Sequence, residues 1–388
     1  MNSQPLKAIK TTQYNATIRQ SEILITAILH SEQWRCMILR EVWNWKKFSF
    51  MINDTTIRNI ADYILLKACS LDSSGLYNGK AGIVVTLFET SKYLQCEYIE
   101  EQAFALLKET LLAKMDDLSF ENGLSGIGYA LLYLIKEKFI NGDFEELFDK
   151  NHLKIEKGLE TILKQRSPNL ASSFLTTIFY LGRFSEGAVG QGNKEIINYL
   201  LKMSSEQLIS NLNKVRQGVY TISKIETVRL FEIYLKVIDK FNLLEYEIGV
   251  LELYSDLFVK NKLICNMTVG HYLSKVGKKI NNESILSVGE KNMELAVQNI
   301  YYETLSLSQK INQLYYMRQS CKPYWQTINS IEQSLLYQVD NDALEKELLK
   351  GIYPQGLIAG YKSGLSRFLL YYIYANKDIS SNCELLDL

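Results

Sequence analysis

Six cysteines and three histidines hold most of the reactive and metal-binding potential of this sequence. The cysteines are Cys36, Cys69, Cys96, Cys265, Cys321 and Cys383. They are widely scattered, form no CxxC pair and follow no secretory signal peptide. That pattern points to reduced thiols in a cytoplasmic setting rather than to a disulfide framework. The histidines are His30, His152 and His271. His152 follows Asn151 in a polar stretch and reads as a surface residue or one near a helix start. Phosphate chemistry has one place to look, the glycine-rich run 182–192. It lacks a GKS or GKT ending, so it reads as a flexible crossing between helices. Asp72 and Glu121 read as turn or capping residues, and no spacing selects a carboxylate pair for glycoside hydrolysis.

The elements that must position these groups carry a repeated phrase. It reads Gly79-Lys80-Ala81-Gly82-Ile83 and again Gly123-Leu124-Ser125-Gly126-Ile127. Each copy follows a turn-like stretch and leads into an apolar run, 83–88 and 127–134. Each therefore predicts a helix start with two glycines in its first turn. Glycine costs about 1 kcal/mol against alanine inside a helix. Its repeated use points to close backbone approach at a crowded point.

Only four prolines occur in 388 residues, which suits a mainly helical chain. Periodicity predicts a helix opening at Asp54 as N-cap, with Ile57, Ile60, Ala61, Ile64, Leu65 and Ala68 on one face. Further helices are predicted over 98–114, 144–165, 195–203, 206–214, 225–241, 243–260, 286–305 and 343–349. No long period-two alternation appears, so a substantial sheet is not expected. Residues 1–50 read as an N-terminal extension, disordered or reflecting a misassigned start, ahead of a domain over 51–388. Lys+Arg and Asp+Glu are both 43, so no net charge draws the chain to nucleic acid or anionic membrane. No apolar run approaches the ~20 residues of a membrane-spanning helix.

A related phrase stands later in the chain: Gly360-Tyr361-Lys362-Ser363-Gly364-Leu365-Ser366-Arg367. Set against Gly79 and Gly82, Gly360 and Gly364 are one residue further apart. The distance from Gly82 to Gly364 is 282 residues, six steps of 47. Such steps place copies near 129, 176, 223, 270 and 317. The candidates there are Gly126 and the stretches 172–178, 218–223, 265–270 and 320–325. Units of this length hold two helices each. The expected fold is all-α, a closed ring of six or seven helical hairpins, with an open solenoid as the other arrangement.

The stretches 75–83 (Gly-Leu-Tyr-Asn-Gly-Lys-Ala-Gly-Ile) and 121–134 (Glu-Asn-Gly-Leu-Ser-Gly-Ile-Gly-Tyr-Ala-Leu-Leu-Tyr-Leu) resemble the GxxG repeats of the lanthionine synthetase C-like (LanC-like) family. The resemblance covers about residues 55–376 and is most specific in the first two repeats. It implies an α/α toroid of about seven inner and seven outer helices. It also implies a cytoplasmic cyclase that adds a peptide cysteine thiol to dehydroalanine or dehydrobutyrine, forming thioether rings in a ribosomal precursor peptide. A dehydratase-type partner and peripheral association with a membrane-bound maturation complex belong to the same picture. The family's zinc stabilises the nucleophilic thiolate.

Carried onto this sequence, the family's zinc ligands fall at Cys265, in Cys265-Asn266-Met267-Thr268-Val269-Gly270, and at Cys321, in Cys321-Lys322-Pro323. Lys322 replaces the expected histidine, and an ammonium group is a poor ligand. His271 is a remote substitute. The incomplete ligand set leaves two readings. One is a divergent zinc-dependent cyclase. The other is a non-catalytic LanC-like scaffold binding a precursor peptide or partner enzyme, with Cys265 and Cys321 as small buried hydrophobes. Lys362 and Arg367 face either a central cavity, where they meet an acidic peptide group, or an exposed rim.

Overall fold

The computed structural model describes residues 53–187, 191–218, 224–243, 248–298, 305–320, 324–339, 359–376 and 384–388. The expected extension over 1–50 and the predicted helix 343–349 lie outside these residues. Among the described residues there are sixteen α-helices, one 3-10 turn and no strand, so the chain is all-α.

The first helix, α1 (Asp54–Ala68), is capped by Asn53 rather than by Asp54. The Asn53 side chain accepts the Thr56 N–H at 2.8 Å. Next come α2 (Lys80–Leu94), α3 (Glu97–Leu112), α4 (Leu124–Lys136) and α5 (Phe144–Gln165). Helices α2 and α4 are buried on almost every face, as their unbroken apolar character requires. Helix α5 buries one stripe: Phe148, His152, Ile155, Leu159 and Ile162. After α6 (Pro168–Ser173) and the 3-10 turn (Leu175–Thr177) comes α7 (Ile178–Gly187). Gly182 therefore lies within a helix, against the Phe241 ring, and most of the supposed glycine-rich crossing is helical.

Helix α8 (Gln191–Gln217) is continuous where two helices are predicted. Ser204 and Ser205 at the supposed break are buried, and Ser205 Oγ donates to the Lys202 carbonyl at 2.8 Å. Back-bonding to the helix's own carbonyl lets serine stay in a buried helix interior. The order continues with α9 (Lys224–Lys240), α10 (Ile248–Val259), α11 (Met267–Lys279), α12 (Glu283–Gln298), α13 (Leu307–Gln319), α14 (Trp325–Gln338), α15 (Leu365–Asn376) and α16 (Glu384–Asp387).

Helix α2 packs against α1, α3, α4 and α15, and α4 packs against α5 and α7. The 3-10 turn joins α7 to α9; α9 packs on α11, α11 on α13, and α13 on α14 and α15. Helix α8 packs on α5, α6, α7, α9 and α10, and α12 packs on α10 and α11.

The starts of α2 and α4 are built alike. Gly79 and Gly123 are their N-caps. The Lys80 N–H donates to the Ser73 carbonyl at 3.0 Å, and the Leu124 N–H donates to the Asp117 carbonyl at 2.8 Å. A Cβ on Gly82 would overlap the Leu76 carbonyl oxygen; one on Gly126 would overlap that of Phe120. Backbone fills the space a side chain would need, which accounts for both costly glycines.

Helix α15 uses the same construction in a register that corrects the one expected. Gly360 packs on Asn78 as Gly75 packs on Asn122. Ser366 Oγ donates to the Ala359 carbonyl as Ser125 Oγ donates to that of Leu118. Gly360 and Gly364 thus match Gly75 and Gly79, with no extra residue, and Arg367 stands where Gly82 and Gly126 stand. Main-chain bonds link matched positions of the three starts. The Lys362 N–H donates to Tyr77 O at 2.7 Å, and the Tyr77 N–H donates to Glu121 O at 2.8 Å.

The helix start expected near 317 is elsewhere. Helix α13 opens at Leu307 behind a Ser306–Gln309 capping box, and 320–325 lies between α13 and the first turn of α14. Two reciprocal side-chain bonds cap that start without glycine.

Candidate functional site

Arg367 leads into the site. It is fully buried, and its Nε and Nη2 donate to Asn312 Oδ1 at 3.0 and 2.7 Å. Nη2 also donates to the Leu386 carbonyl at 2.9 Å. Leu386 belongs to the segment 384–388, which helices far apart in sequence grip from several sides.

Glu384 pairs with Arg183 of α7 and, at 2.6 Å, with Lys240 of α9. The Tyr129 hydroxyl on α4 donates to the same carboxylate at 2.9 Å. The Leu385 carbonyl accepts from the Tyr361 hydroxyl. Asp387 Oδ1 accepts from Tyr272 of α11 at 3.0 Å and from Tyr315 of α13 at 3.1 Å. The main-chain oxygen of Leu388 meets Lys362 Nζ, with Lys236 Nζ and the Tyr77 hydroxyl each at 3.5 Å. Leu385, Leu386 and Leu388 are at most 2% exposed.

The charges around this segment are strongly coupled. Burial pushes the Glu384 carboxyl up, but Lys240 and Arg183 outweigh it and hold the group at about 2. Burial lowers Lys240 despite its carboxylate partner. Burial raises Asp387 above the usual carboxylate range, against the pull of Lys236 and the two tyrosines. Burial drives Lys362 well below the usual lysine value, helped by Lys236 and Arg367. Tyr129 and Tyr272, raised well above 10 chiefly by burial, remain protonated donors. Aromatic faces carry part of the cationic load: Arg183 lies 5.1 Å from the Tyr129 ring, and Lys362 lies 4.7 Å from the Tyr77 ring. These fixed donors face carboxylates and main-chain carbonyls, which is the chemistry of peptide recognition.

Of the residues singled out for metal chemistry, Cys265 and His271 are described. Cys265 is half-buried, one residue before Asn266, the N-cap of α11. Gly270 forms a close helix crossing against Gly289 and Met293. His271 is half-buried on α11, its ring 5.0 Å from that of Tyr316. Burial first, then Lys275, lowers its pKa to about 4, so it is neutral at pH 7. Cys321 and Lys322 lie outside the described residues. Among the described residues no group of three or more His, Cys, Asp or Glu is arranged to hold a metal ion.

His152 corrects another expectation, since it is buried rather than on the surface. Its Nδ1 is 2.7 Å from the Tyr180 hydroxyl, and its ring lies 4.1 Å from that of Phe184. The spacing Phe148, His152, Ile155, Leu159 is the signal that would have placed it inward. Lys362 and Arg367 both reach the 384–388 segment, Lys362 at the Leu388 oxygen and Arg367 at the Leu386 carbonyl. Arg183, Lys240 and Glu384 carry no local motif. Only the α-helical phase of their surroundings distinguishes them.

No protein-family model matches this chain, and no curated protein matches it at a significant level.

Proposed function

We propose that this chain is a LanC-like α/α toroid whose middle binds peptide, acting as a scaffold in the maturation of a ribosomal precursor peptide. The order of helix packing supports the toroid. From α2 it runs through α4, α7, the 3-10 turn, α9, α11 and α13 to α15, and α15 packs on α2. These would be the inner helices; α1, α3, α5, α8, α10, α12 and α14 would form the outer layer. The matched starts of α2, α4 and α15 are the register marks such a ring would use.

The observation that carries the peptide-binding part is the grip on 384–388, above all Glu384 between Arg183 and Lys240. Carboxylates, main-chain carbonyls and leucines are what the interior accepts. The reading brings with it a cytoplasmic setting, a dehydratase-type partner and a precursor peptide encoded nearby. Zinc is not needed for binding. Thioether formation would need the thiols of Cys265 and Cys321 to share a metal.

The test combines metal analysis with a thiol count. Protein from zinc-replete medium is assayed for zinc, with Cys265→Ala and Cys321→Ala as controls, and is then incubated with dehydrated precursor peptide. The scaffold reading expects peptide binding, no stoichiometric zinc, and peptide cysteines that remain open to alkylation. Stoichiometric zinc lost in both variants, with peptide thiols consumed, overturns it in favour of a cyclase.

A further inference from the structure

We infer that residues 384–388 occupy a ligand site, standing in for an acidic, leucine-rich peptide segment of another protein, and that such a peptide binds by displacing them. The inference rests on the peptide-binding reading above and names its ligand class and its regulation.

Every contact that holds the segment is to a feature an unrelated peptide can supply. Glu384 and Asp387 offer carboxylates three residues apart. Leu385, Leu386 and Leu388 offer main-chain oxygens and buried side chains. The ligand pattern is therefore Glu-Leu-Leu-Asp-Leu or a close relative, with acid at the first and fourth positions.

A second observation is independent of these contacts. The site holds more donors than the segment uses. Arg183 is 5% exposed and Arg367 is 0% exposed. Yet Arg183 Nε and Nη2, and Arg367 Nη1, have no hydrogen-bond partner among the described residues. Buried guanidinium N–H groups left unpaired are costly. A segment fitted to this site for its own sake would satisfy them. A ligand with one further acceptor near either arginine would bind better than the chain's own residues do.

A tethered segment competes at an effective concentration in the millimolar range. An outside peptide thus meets a site that is only fractionally open, and its apparent affinity falls by that fraction. Weakening the tethered segment should restore it.

The experiment uses the full chain and a fluorescein-labelled peptide containing Glu-Leu-Leu-Asp-Leu, read by anisotropy. The double variant Leu385→Asp, Leu386→Asp should bind the peptide at least tenfold more tightly than the unaltered chain. A peptide with Gln and Asn in place of the two acids should lose that gain. A variant with unchanged helical circular dichroism that binds no more tightly overturns the inference. Should the variant fail to fold, hydrogen exchange on the unaltered chain decides. Amides of 385–388 exchanging at least a hundredfold faster than those of 368–372 support displacement, and equal protection overturns it. If the labelled peptide binds while the precursor peptide does not, only the maturation reading falls. If the precursor binds equally to both forms of the chain, only the present inference falls.

Discussion

Replacing Glu384 by Gln removes one charge and almost no volume, so its effect isolates the electrostatic share of the grip. In the folded chain the carboxyl is held at about 2, against an ordinary 4.5. A gap of about 2.5 units corresponds to roughly 3.4 kcal/mol at about 1.36 kcal/mol per unit. The side chain is 31% exposed, and solvent screening reduces the figure to about 2 kcal/mol. The sign follows from a depressed carboxyl. Its stabilisation is complete above the unfolded value, near 4.5, and is lost as pH falls toward about 2. Asp387, raised by burial, acts in the opposite sense on acidification. It is present in both proteins and largely cancels in their difference. Urea unfolding of both at pH 7, 5.5, 4.5 and 3.5 is the assay. We expect Glu384→Gln to cost about 2 kcal/mol at pH 7 and 5.5, with the gap shrinking below pH 4.5. A gap under about 0.5 kcal/mol at pH 7, or one that does not change with pH, refutes the assignment of Arg183 and Lys240 as its partners.

The other expectations concern the helix starts, His271 and Arg367. Gly126→Ala places a Cβ on the Phe120 carbonyl and 2.8 Å from Leu76 Cβ, and should cost about 2–4 kcal/mol in urea unfolding. Gly249→Ala meets nothing within 4 Å and should instead stabilise α10 by about 0.5 kcal/mol. His271, held at about 4, should show no titration of its ring proton shift between pH 5.5 and 8 by NMR; a midpoint near 6.5 would show that it is not buried. Its depressed value also means the folded chain loses stability as pH falls from about 6.5 through about 4. Arg367→Gly restores the residue found at the matched positions of α2 and α4. It should leave helical circular dichroism intact while speeding amide exchange in 385–388 at least tenfold; unchanged exchange would remove Arg367 from the grip.

The helices were legible wherever one stripe of apolar residues carried the signal. Helix α5 matches the predicted 144–165 because its buried face recurs at three and four. Where burial is on all sides or a polar pair interrupts, the pattern misleads. Ser204 and Ser205 looked like a break in α8 because serine usually competes with the helix, yet back-bonding keeps Ser205 helical. The glycine phrases point to positions that are indeed crowded, but their spacing sets the third copy one glycine out of register. The spacing from Gly360 to Gly364 equals that from Gly75 to Gly79, and the contacts with Asn78 and Asn122 reveal it. The start of α13 carries no glycine signal, because Ser306 and Gln309 cap it.

The candidate site was hardly legible, and Arg367 shows why. In two starts the matched position admits no side chain, because the carbonyl six residues earlier fills the space. In the third, the position carries the longest cationic side chain available, fully buried and turned onto a segment of the same chain. A substitution of glycine by arginine at a repeat position reads, in sequence, as decay of the repeat. In the fold it converts a packing position into a gripping one. Its partners sit on other helices: Asn312 on α13, and beside the same segment Arg183 on α7 and Lys240 on α9. No window of sequence contains two of these four residues. Packing order brings them to one place, so the chemistry belongs to the arrangement of helices, while the glycine phrases belong to the means of arranging them. The copy that carries arginine in place of the second glycine is then the one that reaches the 384–388 segment, and departure from the repeat is the signal worth seeking at the remaining starts.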